Sequence, residues 1–408
     1  MRTLVLCAAL AVCCRPFDVD AQSLPLTEAD ALARLSPASP RVRAINSGID
    51  VASADVLAAG RWPNPRLTFD REAVAGITEN MVMVSQVLPI TGRRGFEVEA
   101  ASALVEASSS RAEEALRRAR ADLRLAFGQL VSAQAREQEL TASRDRLRAL
   151  ADILARRESA GDAAGFDRLR AEREVADVDT DRAGAATERA RAQAILAGFF
   201  IDPIDPLRIV AVDAPGTPPP LPTVDALVER AESTRAELVA LRKEGDAARL
   251  SLSAADRRRV PEPEIVAGTK SSTAGRGDVG SVFTVHASLP LFDRNGPERA
   301  LAEARAKQAD ARADAFRVAL RAEITALRVA VVERRDTAQR YRTAAANGIG
   351  EIERIAQVSY DAGERGILEL LDAYRTGAAA RVRQAALDGA VRQAEIELEF
   401  VSGWEILR

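Results

Sequence analysis

From Ile90 to Asp202 the chain contains no proline, and from Glu298 to Arg408 there is none either. Proline removes a backbone donor and clashes with the preceding helical turn, so its absence over such runs permits long continuous helices. In the first run Leu116, Leu123 and Leu130 stand seven apart, as do Leu140, Leu147 and Leu154. The step of ten between the two sets shifts the heptad phase by three residues without breaking it, which leaves a coiled-coil-type seam. The seam stops at Gly161-Asp162-Ala163-Ala164-Gly165 and resumes through about Leu196. In the second run the pattern stops at Ser359-Tyr360-Asp361-Ala362-Gly363-Glu364-Arg365-Gly366. Glycine costs about 1 kcal/mol against alanine inside a helix, so paired glycines mark a break. Each run therefore reads as a helical hairpin, about 91–198 with its tip near 161–167, and about 297–402 with its tip near 361–367. Each long helix is expected to span roughly 60 residues, on the order of 90 to 100 Å.

The same features precede both hairpins. Thr27 opens a short helix through Leu32, and Thr223 opens another through Leu227. Trp62-Pro63-Asn64-Pro65 is answered by Val260-Pro261-Glu262-Pro263, and Leu88-Pro89-Ile90 by Leu289-Pro290-Leu291. Between these landmarks the period changes from 3.6 to 2, which predicts a strand pair about 65–89 and another about 263–291. The chain is thus a duplication: a first repeat 22–202, a proline-rich connector 203–222, and a second repeat 223–408. The connector, with Pro218-Pro219-Pro220, is too proline-dense for a helix or a central strand. The expected fold class is mainly α with a small β part, in the order helix, strand, strand, long helical hairpin, taken twice.

Net charge is −3 with 29% charged residues, which carries neither a nucleic-acid footprint nor an acidic tail. Residues 1–21 read as a signal peptide: Arg2 precedes the apolar run Leu4–Val12, and Val19-Asp20-Ala21 offers a cleavage site. A lipidated Cys13 is the alternative. All three cysteines (Cys7, Cys13, Cys14) precede that site, so the mature chain holds itself by packing or by oligomerisation. With one histidine, His286, it has poor material for a transition-metal site. No nucleophile–base pair and no phosphate-cradling glycine loop is present. The expectation is a chain that is not an enzyme and needs no cofactor or metal.

The strands carry the environment. Phe283, Val285, Ala287 and Leu289 alternate with Thr284, His286 and Ser288, and Leu67 and Phe69 with Arg66, Thr68 and Asp70. One apolar and one polar face on strands of about nine residues suits a lipid-facing barrel with a wet interior. Four strands cannot close a barrel, and open edges are forbidden in lipid, so several copies must contribute. A soluble β domain on a coiled-coil stalk is the alternative. Met81 to Leu88 is apolar on both faces and does not discriminate. Glu369 and Asp372, one turn apart, share a helix face just past the second tip. From spacing alone they are a solvated face or a functional pair.

These carriers together resemble the TolC-like outer-membrane efflux and secretion proteins, including the cobalt-zinc-cadmium subgroup, over essentially the whole mature chain. The resemblance implies a homotrimer in the outer membrane of a Gram-negative bacterium. Its twelve-stranded barrel continues into a periplasmic α-helical barrel, whose hairpin tips meet a periplasmic adaptor (membrane fusion) protein joined to an inner-membrane pump of the proton-driven RND type. Ser359-Tyr360-Asp361-Ala362-Gly363-Glu364-Arg365 is similar to the family's Tyr-x-x-Gly-x-Arg turn. That match implies gate links through Tyr360, Arg365 and Asp167, adaptor docking at Gly161, Asp162, Gly363 and Glu364, and a constriction ring of Glu369 and Asp372. Three copies of two acids on one axis would act as a cation filter. The chain departs from the family pattern at Glu369, longer than aspartate, and at Gly366, where a hydroxyl residue is common. The function implied is a passive exit duct of a tripartite efflux system for metal cations or small toxic compounds. An adaptor protein or a type I secretion duct is the alternative, although an adaptor has one hairpin where this chain has two.

Overall fold

The computed structural model describes residues 23–161, 165–201, 204–213 and 220–405. The expected signal peptide 1–21 and Asp162 lie outside the described residues.

The chain opens with strand β1 (Leu24–Leu26) and helix α1 (Glu28–Ala33). Thr27 caps α1 in a capping box: its hydroxyl accepts from the Asp30 N–H, and its own N–H donates to the Asp30 carboxylate. Helix α2 (Pro40–Ala59) leads into strands β2 (Arg66–Val74) and β3 (Ile77–Val87), joined by the two-residue turn Ala75-Gly76. Helix α3 (Arg93–Ser159) follows, 67 residues without interruption, about 100 Å long at 1.5 Å per residue. Helix α4 (Gly165–Ala197) returns along it, and β4 (Ile209–Ala211) lies parallel to β1. The second repeat comprises α5 (Val224–Thr234), α6 (Ala236–Arg257), β5 (Pro263–Ser272), β6 (Val279–Ala287), α7 (Gly296–Ala344), α8 (Ile349–Asp361) and α9 (Ile367–Ser402).

Three features differ from the sequence expectation. The helices are not all roughly 60 residues: α4 has 33, α7 has 49 and α9 has 36. The shorter returns suffice because α3 is shared. Ion pairs tie its first part to α6 (Arg111–Glu244, Glu97–Arg258), its later part to α4 (Arg136–Glu188, Glu158–Arg168), and its outer side to α9 (Arg124–Glu399, Glu139–Arg381). The connector is not without strand, since Leu207 to Asp213 is proline-free and its centre pairs with β1. The second hairpin also carries an additional break, a single 3-10 turn at Ala346–Gly348 between α7 and α8.

The four long strands form one antiparallel sheet in the order β2-β3-β5-β6, so the two strand pairs meet at β3 and β5. The register places Leu67, Phe69, Val82, Val84, Phe283 and Val285 on one face, where all six are exposed. Arg66, Thr68, Asp70, Ser85, Lys270, Thr284 and His286 share the other. Alternation in β3 is resolved by register rather than polarity: Val82 and Val84 join the apolar face, Met81 and Met83 the polar one.

The heptad leucines are the core of the shaft. Leu123 and Leu130 are buried among α1, β1, β4 and α4, beside Phe127, Leu196 and Ile209, with Leu116 packed against them. Leu147 and Leu154 are buried near the tips against Ala171, Ala356, Ile367 and Leu370. The tip region is thus a bundle of α3, α4, α8 and α9, with the ends of both hairpins side by side.

Candidate functional site

Both tips use one backbone device. Gly161 follows α3 with φ 82° and Gly363 follows α8 with φ 72°, in the left-handed region open to glycine at little cost. At the second tip the Gly363 N–H donates to the Tyr360 carbonyl at 3.0 Å and the Glu364 N–H to the Ser359 carbonyl at 2.9 Å, a Schellman closure. At the first tip the Gly161 N–H donates to the Glu158 carbonyl at 2.9 Å, the equivalent bond. In each case the next helix starts four residues after the glycine, at Gly165 and at Ile367. Asp167 and Glu369 are therefore equivalent, each in the first turn of its helix, where the N-terminal dipole favours a carboxylate.

The expected gate residues lie on this end of the molecule but are not all joined within one chain. Tyr360 is half-buried against the leucine core, and its partner is Arg157 of α3. The guanidinium carbon lies 5.6 Å from the ring centre, and Arg157 Nη1 donates to the Tyr360 hydroxyl at 3.5 Å. Among the described residues no hydrogen bond links Tyr360 to Asp167. Arg365 and Glu364 are exposed, and among the described residues the Arg365 side chain forms no ion pair; its backbone N–H donates to the Ser359 carbonyl. Glu369 and Asp372 are exposed while Leu370 and Leu371 between them are buried, so the acids stand on the face turned from the bundle core. Asp372 accepts from Arg375 at 2.8 Å, a pair open to solvent.

The largest polar cluster near the tips went unread in the sequence. Glu353 of α8 is buried (8% exposed) and is held by two arginines: Arg146 of α3 at 2.8 Å and Arg381 of α9 at 2.7 Å. Arg381 also reaches Glu139 of α3 at 3.0 Å. Gly377 makes room for this, because a Cβ there would sit 2.1 Å from the Glu353 carboxylate and 2.9 Å from Ile349. One turn further on, the Tyr374 hydroxyl donates to Gln357 at 2.5 Å, and burial raises its pKa above the ordinary tyrosine range. The signal was available: Glu353 interrupts the apolar face of Ile349 and Ala356, and an acid placed there needs a cation from another helix. The first tip is fastened differently. Arg168 of α4 bridges Glu158 at 2.6 Å and Glu172 at 2.7 Å, and these carboxylates hold its guanidinium pKa above the usual value.

Among the described residues no group of three or more histidine, cysteine or acidic side chains could hold a metal ion. No helix among the described residues is long and apolar enough to cross a membrane. What the fold offers is an exposed apolar sheet face at one end, a helical shaft, and acids around glycine turns at the other. That arrangement defines a class of proteins in which a small antiparallel sheet with an exposed apolar face is joined to long helical hairpins. Residues 227–403 match the family model described as outer membrane efflux protein. The cobalt-zinc-cadmium resistance protein CzcC of Cupriavidus metallidurans is 24% identical over 382 residues, covering 93% of this chain and 90% of CzcC. Among solved structures, a membrane protein from Pseudomonas aeruginosa shares the fold with a TM-score of 0.76 at 20% identity, covering 92% of this chain and 93% of that one. The outer membrane protein VceC from Vibrio cholerae does so with a TM-score of 0.74 at 16% identity, covering 92% and 96%.

Proposed function

We propose that this protein is the outer-membrane exit duct of a tripartite efflux system. It passively conducts what an inner-membrane pump delivers through a periplasmic adaptor. The observation that carries this reading is the sheet: its exposed apolar face (Phe69 64%, Phe283 71% exposed) belongs in lipid, and it stands on two equivalent helical hairpins. Three copies would supply twelve strands to one barrel and six hairpins to one tunnel. Glu369 and Asp372, exposed on the face away from the bundle core, would form two rings of negative charge at its narrow end. Tyr360, Arg365 and Asp167 would link neighbouring tips when the duct is shut, with Gly161, Asp162, Gly363 and Glu364 offered to the adaptor. Arg365 suits such a link, being an exposed cation without an ion pair among the described residues. The similarity to a protein named for cobalt, zinc and cadmium resistance favours divalent metal cations as cargo, and the motor proposed with it is an RND-type pump.

The test is purification from outer membranes followed by planar-bilayer recording. The expected result is a heat-stable trimer that forms a cation-preferring pore, with the preference reduced by Glu369→Gln combined with Asp372→Asn. A strictly monomeric, water-soluble product would overturn the duct. An unchanged reversal potential in the double variant would overturn the ring.

A further inference from the structure

Where the strands hand over to the helices, four stretches converge: 61–65, 88–97, 256–262 and 289–299. Arg94 lies over Trp62, Arg93 reaches Glu262, Arg258 reaches Glu97, and Arg299 reaches Asp256. Together the stretches hold eight arginines against five carboxylates, a local excess of +3 in a chain whose net charge is −3. Glu97, Glu262 and Asp256 are taken up by Arg93, Arg258 and Arg299. Arg94 and Arg259 have no ion pair among the described residues. The Arg94 guanidinium stacks 5.2 Å from the Trp62 ring, and its Nη1 is buried without a hydrogen-bond partner. The guanidinium is thus a cation with no carboxylate to neutralise it among the described residues, held in place by the indole.

The surface beside these arginines is apolar. Ile90, Leu289, Leu291 and Phe292 are all exposed, Phe292 completely, and Leu289 follows Phe283 and Val285 two residues past the end of β6. Exposed apolar side chains thus continue from the strands into the collar, which also carries cations without ion pairs among the described residues. Apolar side chains at acyl depth, bordered by guanidinium groups at headgroup depth, match a phospholipid with a negative headgroup. Arginine binds phosphate oxygens through paired, charge-assisted N–H donors. Resting on the outer-membrane reading above, we infer that this collar is a binding surface for anionic phospholipid in the periplasmic leaflet, with Arg94 and Arg259 among its phosphate-binding groups.

Trp62 provides the probe. With Trp404 replaced by phenylalanine, Trp62 is the only tryptophan left. The full-length protein is reconstituted into bilayers of phosphatidylcholine and phosphatidylglycerol, with one or the other brominated, and quenching of Trp62 gives their relative affinity at the collar. The expected result is a preference for phosphatidylglycerol that drops about fivefold for each arginine removed in Arg94→Gln and Arg259→Gln, as one charge near an anionic surface implies. Equal quenching by the two lipids overturns the collar proposal while leaving the duct intact. So does a preference unmoved in Arg259→Gln, an exposed position with no ion pair to break among the described residues. A preference abolished by millimolar inorganic phosphate also overturns it, since the site would then bind a free anion. No quenching by either lipid would remove Trp62 from the membrane and overturn the outer-membrane reading with it.

Discussion

The two hairpin tips share a backbone and differ in how they are fastened. Each ends its descending helix on a left-handed glycine and starts the ascending one four residues later. The first tip ends a helix of 67 uninterrupted residues and is clamped within its own hairpin, α3 to α4, through Arg168. The second ends the 13-residue α8, set apart from α7 by a 3-10 turn. Its fastening is placed higher and reaches outward, from Glu353 to α3 as well as to α9. Duplication conserved the turn, while divergence made one arm rigid and the other jointed. If the tips gate the duct as proposed, the jointed arm held by a buried ion pair is the one expected to move.

The largest effect is expected at Glu353. Replacing it with alanine leaves Arg146 and Arg381 without their shared partner, and breaking a buried pair costs about 3 kcal/mol or more. Glu353→Ala should lower stability to guanidinium by that order and raise leak conductance in bilayers. Stability close to wild type would mean that α8 is held by its apolar face alone, and the contrast between the arms would fail. A smaller effect tests their likeness. Gly161→Ala and Gly363→Ala each force alanine into the left-handed region, with nothing within 4 Å of the added carbon, so each should cost about 1 kcal/mol. Unequal costs would show that the two turns are not held alike. The smallest effect separates clamp from link. Arg168→Gln should speed amide hydrogen exchange across Gly165–Glu172 and leave conductance alone, whereas Arg365→Gln should raise leak. The reverse pattern would exchange the roles of the two tips.

Much of this was legible because it rests on one-dimensional signals. Absent prolines, leucines seven apart, alternation in the strands and paired glycines each act locally, and long helices, paired strands and left-handed glycines occur in those stretches, while the lengths of α4, α7 and α9 do not follow from them. The break at Ala346–Gly348 was hidden by the alanines before it, which favour helix, although Asn347 and Gly348 were visible. What ties α8 to the bundle is Glu353 reaching two other helices, a fact of tertiary distance. The partner of Tyr360 was missed for a similar reason. Asp167 matched by motif, but within the chain Arg157 projects from α3 onto the ring. Motif spacing gives a residue's place along the chain, and side-chain reach decides its partner. The strand in the connector was obscured by prolines on either side of a segment that contains none.

The edges of the sheet carry one more consequence. β2 and β6, nine residues each, lie at its two margins, and their outward N–H and C=O groups have no strand beside them within the chain. In hydrocarbon every such group costs several kcal/mol, so a lone inserted copy is not a stopping point on the way to the membrane. If copies complete one barrel as proposed, they must meet, the β2 margin of one against the β6 margin of the next, before or as they enter. Assembly and insertion are then a single event whose rate climbs steeply with the number of copies waiting in the periplasm. A closed ring also tolerates no missing link: one subunit with a spoiled margin withdraws its sound neighbours from use, and the defect is dominant.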